Sequence, residues 1–163
     1  MRKAPFVLKF IVACVVGFLL QLTLHEFGHA TFAAITGNKL ANIHIGIVSY
    51  AEIMVVNEWS IWVISIGAFI LPIIVCGILS IWDCEFTGIL SLVMLVITTI
   101  QLAINTVAII CVKDVFALQT YDLGVCITSG GLNKLIVFSL SLIAVICLVL
   151  WIINSFKKIA QMI

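Results

Sequence analysis

The sequence predicts an all-α polytopic membrane protein, with about four transmembrane helices and a short β-hairpin-like stretch after the first helix. Hydrophobic residues make up 64% of the 163 residues and charged residues only 9%, whereas soluble domains average about 25% charged residues. Long apolar runs alternate with short polar segments, as in proteins that cross a bilayer several times. The mean hydropathy of +1.37 leaves almost no soluble mass, so residues 1–163 are expected to form a single membrane-embedded domain.

The charge and the cysteines exclude two other classes of protein. A net charge of +1 supplies no basic surface for nucleic acid, so the expected surroundings are the lipid bilayer. The cysteines lie in apolar surroundings without paired spacing, which indicates small membrane-compatible side chains and not a disulfide framework. They are Cys14, Cys76, Cys84, Cys111, Cys126 and Cys147.

The first helix is predicted from Phe6 to about Thr36. Pro5 suits the first turn of a helix, and Gly37-Asn38 ends the apolar run. This run is longer than the roughly 20 residues that cross a bilayer, so the helix must tilt, bend or protrude.

The stretch from Lys39 to Glu58 predicts short strands at the membrane edge. Apolar residues alternate with small or polar ones over Asn42–Ile47, and Val48–Val56 is rich in β-formers. An open strand edge there would accept an extended substrate segment by β-addition. A hairpin that only packs over the bundle fits the pattern equally well.

Three further apolar runs predict helices at Trp59–Trp82, Thr87–Val112 and Lys134–Phe156. The first of them has an indole at each end, as in an aromatic belt, and Pro72 is expected to kink it. The segment Lys113–Asn133 is predicted to be a polar interruption between the last two helices.

A His-Glu-x-x-His pattern lies in the second half of the first helix. At helical spacing, His25 and His29 project from the same face and can bind one zinc ion, while Glu26 beside them can act as a general base. The alternative is a pair of structural histidines. Because ionisable groups at membrane depth are costly, we favour the metal site.

A catalytic zinc needs a third protein ligand, and several acids and one histidine compete for this place. Asp83 and Glu85 are excluded, because they follow the returning helix and so lie at the opposite membrane surface. The candidates that remain are His44, Glu52, Glu58, Asp114 and Asp122. We favour Asp114, which directly follows the third helix, and keep Asp122 as the alternative.

At this point the chain resembles the site-2 protease family of intramembrane zinc metalloproteases, in particular its compact, single-domain bacterial members. The features that carry the resemblance span residues 15–125. They are His25-Glu26-Phe27-Gly28-His29-Ala30, the strand-like stretch after it, Gly67-Ala68-Phe69 with Pro72, Asn105 followed by an Asp, and the segment Lys113–Thr120. Two departures stand out: the sequence has Asp114-Val115 in place of the family's Asp-Gly, and Gly67-Ala68 in place of its Gly-Pro.

The resemblance implies hydrolysis of a peptide bond in or near a transmembrane segment of a membrane protein substrate. One zinc ion would be held by His25, His29 and Asp114, with Glu26 moving the proton of a water molecule. Asn105 would hydrogen-bond the substrate backbone, or else another helix. Gly28 is expected to permit close approach of a helix or of the substrate.

The same resemblance implies a multi-pass protein of the bacterial plasma membrane. Its orientation stays open. Positive charges near both termini favour cytoplasmic ends, whereas the family's cytoplasm-proximal zinc requires the reverse.

Two other functions compete with the protease. One is a catalytically inactive, site-2-protease-like membrane scaffold or helix-binding partner, which would be free to lose the His-Glu pattern. The other is a metal or proton transporter, which would carry polar side chains through several helices. In the fourth predicted helix, the hydroxyl- or amide-bearing residues between 135 and 153 are serines only.

Overall fold

The computed structural model describes residues 5–45, 50–82 and 84–161. Four of its helices are long and apolar enough to cross a membrane, which confirms the predicted fold class. They are α1 (Phe6–Ile35), α2 (Ile61–Ile81), α3 (Glu85–Cys111) and α6 (Lys134–Ala160), with two short helices, α4 (Val115–Leu118) and α5 (Asp122–Thr128), between the last two. The predicted ends lie within a few residues of these bounds.

The central helix of the bundle is α3, which packs against α1, α2 and α6. Half of its most apolar 18-residue window is buried inside the protein, against 17% for α1 and for α6. Met94 and Leu95 of α3 have no exposed surface. The outer faces of α1 and α6 therefore remain apolar and unburied, as expected of helices that face lipid.

The predicted hairpin is confirmed. Strand β1 (Lys39–His44) pairs antiparallel with β2 (Tyr50–Met54), from Lys39 opposite Met54 to His44 opposite Tyr50, with an irregularity between Leu40 and Asn42. Antiparallel strands this close in sequence need only a short connection. Residues 46–49 lie outside the described part of the chain.

A buried asparagine fastens this hairpin to the helices around it. The Asn38 amide group donates hydrogen bonds to the hydroxyls of Ser60 (2.6 Å) and Thr36 (2.9 Å). Its oxygen accepts from the backbone N–H groups of Val56 and Asn57. One side chain thus joins the end of α1, the segment after β2 and the start of α2.

Helices α1 and α2 approach so closely that their backbones touch at a pair of glycines. A Cβ at Gly28 would overlap the backbone of Gly67, and a Cβ at Gly67 would overlap the ring of Phe32. The prediction that Gly28 permits close approach is confirmed, and the partner is a helix. This contact sets α2 directly beside the turn of α1 that carries the two histidines.

The two short helices were not predicted, because Lys113–Asn133 was interpreted as a polar interruption. Helices of four and seven residues are too short to show a 3.6-residue period. They fold against each other at Gly124, where any Cβ would overlap the Leu118 carbonyl. This reversal returns the chain towards α1 and α2 after it has left α3.

The far end of the bundle is closed by an ion pair between Lys9 of α1 and Glu85 of α3. Because both residues lie near the starts of their helices, α1 and α3 run in the same direction, as the topology predicted. All six cysteines are free.

Candidate metal centre

Two imidazoles and one carboxylate meet where α1 and α5 face each other. His25 and His29 lie one helical turn apart on α1, with ring centroids separated by 5.2 Å and ring planes almost perpendicular. Nε2 of His25 is 3.2 Å from one carboxylate oxygen of Asp122, and Nε2 of His29 is 3.1 Å from the other. The histidines of the His-Glu pattern therefore share one acid, from the first residue of α5.

The geometry of these donors fits a small divalent cation. The ligand atoms of His25, His29 and Asp122 all lie within 4.8 Å of one another. Two ligands bound tetrahedrally to zinc at about 2.0–2.1 Å are separated by roughly 3.3 Å, close to the two nitrogen–oxygen distances observed here. Two imidazoles and a carboxylate are also a donor set found in catalytic zinc sites, which leaves a fourth position open.

The preferred third ligand of the sequence analysis is not in this cluster. Asp114 is exposed, in the segment between α3 and α4, and it is not among the described residues whose ligand atoms gather at the site. The structure brings the alternative, Asp122, to the histidines instead. The reason is the reversal through α4 and α5, which carries the chain back into the bundle only after Asp114. The candidate third ligand is therefore Asp122, and not Asp114.

Contacts with the histidines keep the Asp122 carboxyl group in its charged form. Burial by itself would raise the pKa of Asp122, but its hydrogen bonds with the rings of His25 and His29 hold that pKa below its ordinary value. An ionised carboxylate beside two imidazoles is the charge state that a cation requires.

Glu26 is buried beside the two histidines, with only 6% of its surface exposed. The backbone of Ala51 in β2 lies near its carboxylate. Strand β2 therefore covers the side of the site on which Glu26 lies. The hairpin predicted at the membrane edge is in contact with the candidate general base.

A backbone carbonyl and an aromatic ring of α2 contact the two histidines. Nδ1 of His29 lies 3.0 Å from the backbone carbonyl of Ile64, so a proton on Nδ1 leaves Nε2 free to bind a cation. The ring of His25 packs edge-on against Phe69, with centroids 5.6 Å apart. These contacts depend on the close approach of α1 and α2 at Gly28.

Asn105, predicted to contact substrate or another helix, is buried and already hydrogen-bonded within the protein. Its amide nitrogen donates to the Gln101 carbonyl (3.0 Å), and its oxygen accepts from the backbone N–H of Leu123 (3.1 Å). Leu123 directly follows Asp122, so Asn105 fixes the start of α5 and with it the candidate third ligand. The role in substrate binding stays a prediction.

The remaining candidate ligands of the sequence analysis lie away from the histidine pair. His44 and Glu52 face each other across the hairpin at 3.6 Å and are exposed. Glu85, excluded by topology, pairs with Lys9 at the far end of the bundle. The side chain of Glu58 and the whole of Asp83 lie outside the described part of the chain.

An apolar cavity of about 280 Å³ adjoins the metal centre. Phe69, which contacts His25, and Leu123, which follows Asp122, are part of its wall, and most of its other lining residues come from α2 and α6.

Sequence reasoning missed three features of this centre: the Ile64 carbonyl, the short helix α5 and the buried Gln21 of α1. A backbone carbonyl leaves no sequence signal. Gln21 did leave one, because it is a polar side chain one helical turn before His25 in an otherwise apolar run.

Comparison with known proteins gave no match to a protein-family model, to a curated protein or to a solved structure.

Proposed function

We propose that this protein is an intramembrane zinc metalloprotease that hydrolyses peptide bonds in or near transmembrane segments of membrane protein substrates. The observation that carries the proposal is the convergence of Asp122 on His25 and His29, beside the buried Glu26, in a bundle of membrane-length helices. The donor set and its spacing suit zinc.

In this proposal His25, His29 and Asp122 would hold the ion. A zinc ion bound there supplies the Lewis acidity that lets water lose a proton near pH 7. Glu26 takes that proton while the water oxygen attacks the peptide carbonyl carbon. Glu26 then passes the proton to the leaving amine as the C–N bond breaks. The role of Glu26 requires a carboxylate that can change its protonation state, which a glutamine cannot do.

The surroundings of the centre favour a substrate from the membrane. The adjoining cavity is lined almost wholly by apolar side chains, which suits an apolar segment and excludes a charged one. The hairpin lies on the Glu26 side of the centre, where an extended peptide would meet a strand edge. Under this proposal the protein acts in a bacterial plasma membrane, as do the compact family members that it resembles.

Replacing Glu26 by Gln tests the proposal. We expect Glu26→Gln to retain zinc and fold but to lower cleavage by at least about 10²–10⁴-fold, the usual contribution of a general base. Cleavage is measured on a panel of co-expressed reporters that each contain one transmembrane helix with helix-weakening Gly and Asn residues. Glu52→Gln, at an exposed acid of the hairpin, is the matched control and should cleave as the wild type does.

Two outcomes contradict the proposal in different ways. Equal cleavage by Glu26→Gln and the wild type would remove Glu26 from the mechanism. A wild-type protein that binds zinc yet cleaves no reporter of the panel would favour the inactive scaffold, which binds membrane helices without hydrolysing them.

A further inference from the structure

Two buried polar atoms near the centre lack a hydrogen-bond partner in the described part of the chain: Oε1 of Gln21 and Nδ1 of His25. Both residues belong to α1, and they lie four positions apart, on the same face of the helix. Leaving a buried polar group unpaired destabilises the folded protein. Two unpaired groups on one helix face therefore need an explanation.

The two atoms are complementary when His25 binds a metal through Nε2. A neutral imidazole that offers Nε2 as a ligand carries its proton on Nδ1, which is then a donor. The amide oxygen of Gln21 is an acceptor. One group thus has a proton to donate, and the other has an unoccupied lone pair.

The other histidine of the centre shows what His25 lacks. Nδ1 of His29 lies 3.0 Å from the Ile64 carbonyl. Metal-binding histidines almost always donate their second ring N–H to an acceptor, which fixes the tautomer and the orientation of the ring. Among the described residues, Oε1 of Gln21 is the only other buried side-chain nitrogen or oxygen atom without a hydrogen-bond partner.

The direction of the side chains favours this pairing. Side chains on a helix lean towards its N-terminus, so the His25 ring covers the turn that carries Gln21. The amide nitrogen of Gln21 donates to Oε1 of Gln101 at 3.1 Å, which leaves the amide oxygen as the free end. Gln21 has no exposed surface, so bulk water cannot satisfy that oxygen.

Hydrogen bonds also link Gln21 to the start of the helix that carries Asp122. From Gln101 the hydrogen bonds continue through its carbonyl to Asn105, and from Asn105 to the backbone N–H of Leu123 beside Asp122. A series of hydrogen-bonded residues thus runs from Gln21, across α3, to the start of α5.

We propose that Gln21 is a positioning residue of the metal centre: its Oε1 accepts the Nδ1–H of His25, directly or through one buried water molecule. Gln21 touches neither the metal nor the substrate. It holds His25 in the tautomer and orientation that present Nε2 beside Nε2 of His29 and the Asp122 carboxylate. This inference rests on the proposed metal centre and adds a residue to its outer shell.

The test compares variants of Gln21 by zinc affinity, measured by competition with a chelator on the purified full chain in detergent. Gln21→Met keeps the length of the side chain but removes the acceptor, and it should weaken zinc binding by about 10–100-fold, as loss of an outer-shell partner does. Gln21→Glu keeps an acceptor oxygen and should recover most of the affinity. Thr98→Val, which removes a buried hydroxyl bonded only to its own helix at Met94, controls for loss of a buried polar group.

A second measurement separates positioning from packing. In the zinc-loaded wild type, ¹⁵N-histidine NMR should show a slowly exchanging proton on Nδ1 of His25. Gln21→Met should shift the ¹⁵N resonances of the His25 ring and leave those of the His29 ring unchanged. A change in packing alone would move neither the proton nor the tautomer.

The outcomes distinguish this inference from the proposed function. If the wild type binds zinc and Gln21→Met binds it equally well, or if the His25 Nδ1 proton exchanges freely with water, Gln21 has no positioning role and the protease proposal is untouched. If the wild type binds no zinc, both proposals fail.

Discussion

The two ends of the helix bundle are held together by polar contacts of different kinds. At the ion-pair end, Lys9 of α1 meets Glu85 of α3, one cation with one anion. At the site end, the imidazoles of His25 and His29 on α1 both contact the single carboxylate of Asp122. Both contacts connect α1 to a later part of the chain, but only the second leaves three ligand atoms directed at one point.

The two ends also differ in how closely their helices pack around a glycine. At the site end, Gly28 lies against the Gly67 backbone with no space for a Cβ. At the ion-pair end, a Cβ at Gly88 would meet Ile159 at an ordinary 3.6 Å. The site end therefore has no space for a methyl group at Gly28, whereas the ion-pair end has space for one at Gly88.

The largest effect expected from this comparison concerns Asp122 and Asp114, the third ligand that the sequence had favoured. Asp122→Ala should reduce zinc affinity by more than the ~10–100-fold that loss of an outer-shell partner costs, because it removes a direct ligand. Asp114→Ala, at an exposed position, should leave zinc affinity unchanged. Both are measured by metal analysis and chelator competition, and the reverse result would return the third-ligand role to Asp114.

A smaller effect is expected from adding one methyl group at each end. Gly28→Ala forces α1 away from α2 and should lower the free energy of unfolding by about 1–3 kcal/mol, the usual cost of overpacking. It should also lower the amount of zinc that the protein retains. Gly88→Ala has space and gains up to about 1 kcal/mol of helix propensity. Thermal unfolding in detergent checks both. Equal tolerance at the two positions would mean that the site end is not tightly packed.

The smallest effect is expected at the ion pair. Lys9→Met should lower the free energy of unfolding by about 1 kcal/mol or less, the usual worth of a partly exposed pair. Zinc affinity should not change, because the pair lies at the other end of α1. A loss of zinc comparable to that of Asp122→Ala would show that the two ends are not independent.

Most of the fold could be predicted because a long apolar helix is determined by local hydropathy. The helices from Phe6, Ile61, Glu85 and Lys134 were each predicted within a few residues of their starts, and the hairpin followed from strand-like alternation. The His25–Glu26–His29 face also needed only helical geometry. These features depend on residues that are close in sequence.

The candidate third ligand depends on contacts between residues that are distant in sequence. For this reason the sequence favoured Asp114, whereas the structure brings Asp122 to the histidines. The short distance from the end of α3 favoured Asp114. The position of Asp122 is determined instead by the chain reversal at Gly124 and by the hydrogen bond from Leu123 to Asn105. A glycine two residues after the acid was visible in the sequence, but its contact with Leu118 was not.

The most direct test of the central claim is a zinc-edge anomalous diffraction map of the zinc-loaded protein. We predict one ion at about 2.0–2.2 Å from Nε2 of His25, Nε2 of His29 and a carboxylate oxygen of Asp122, the distances typical of zinc. An ion bound by Asp114, or a map with no ion between the two histidines, would contradict the assignment.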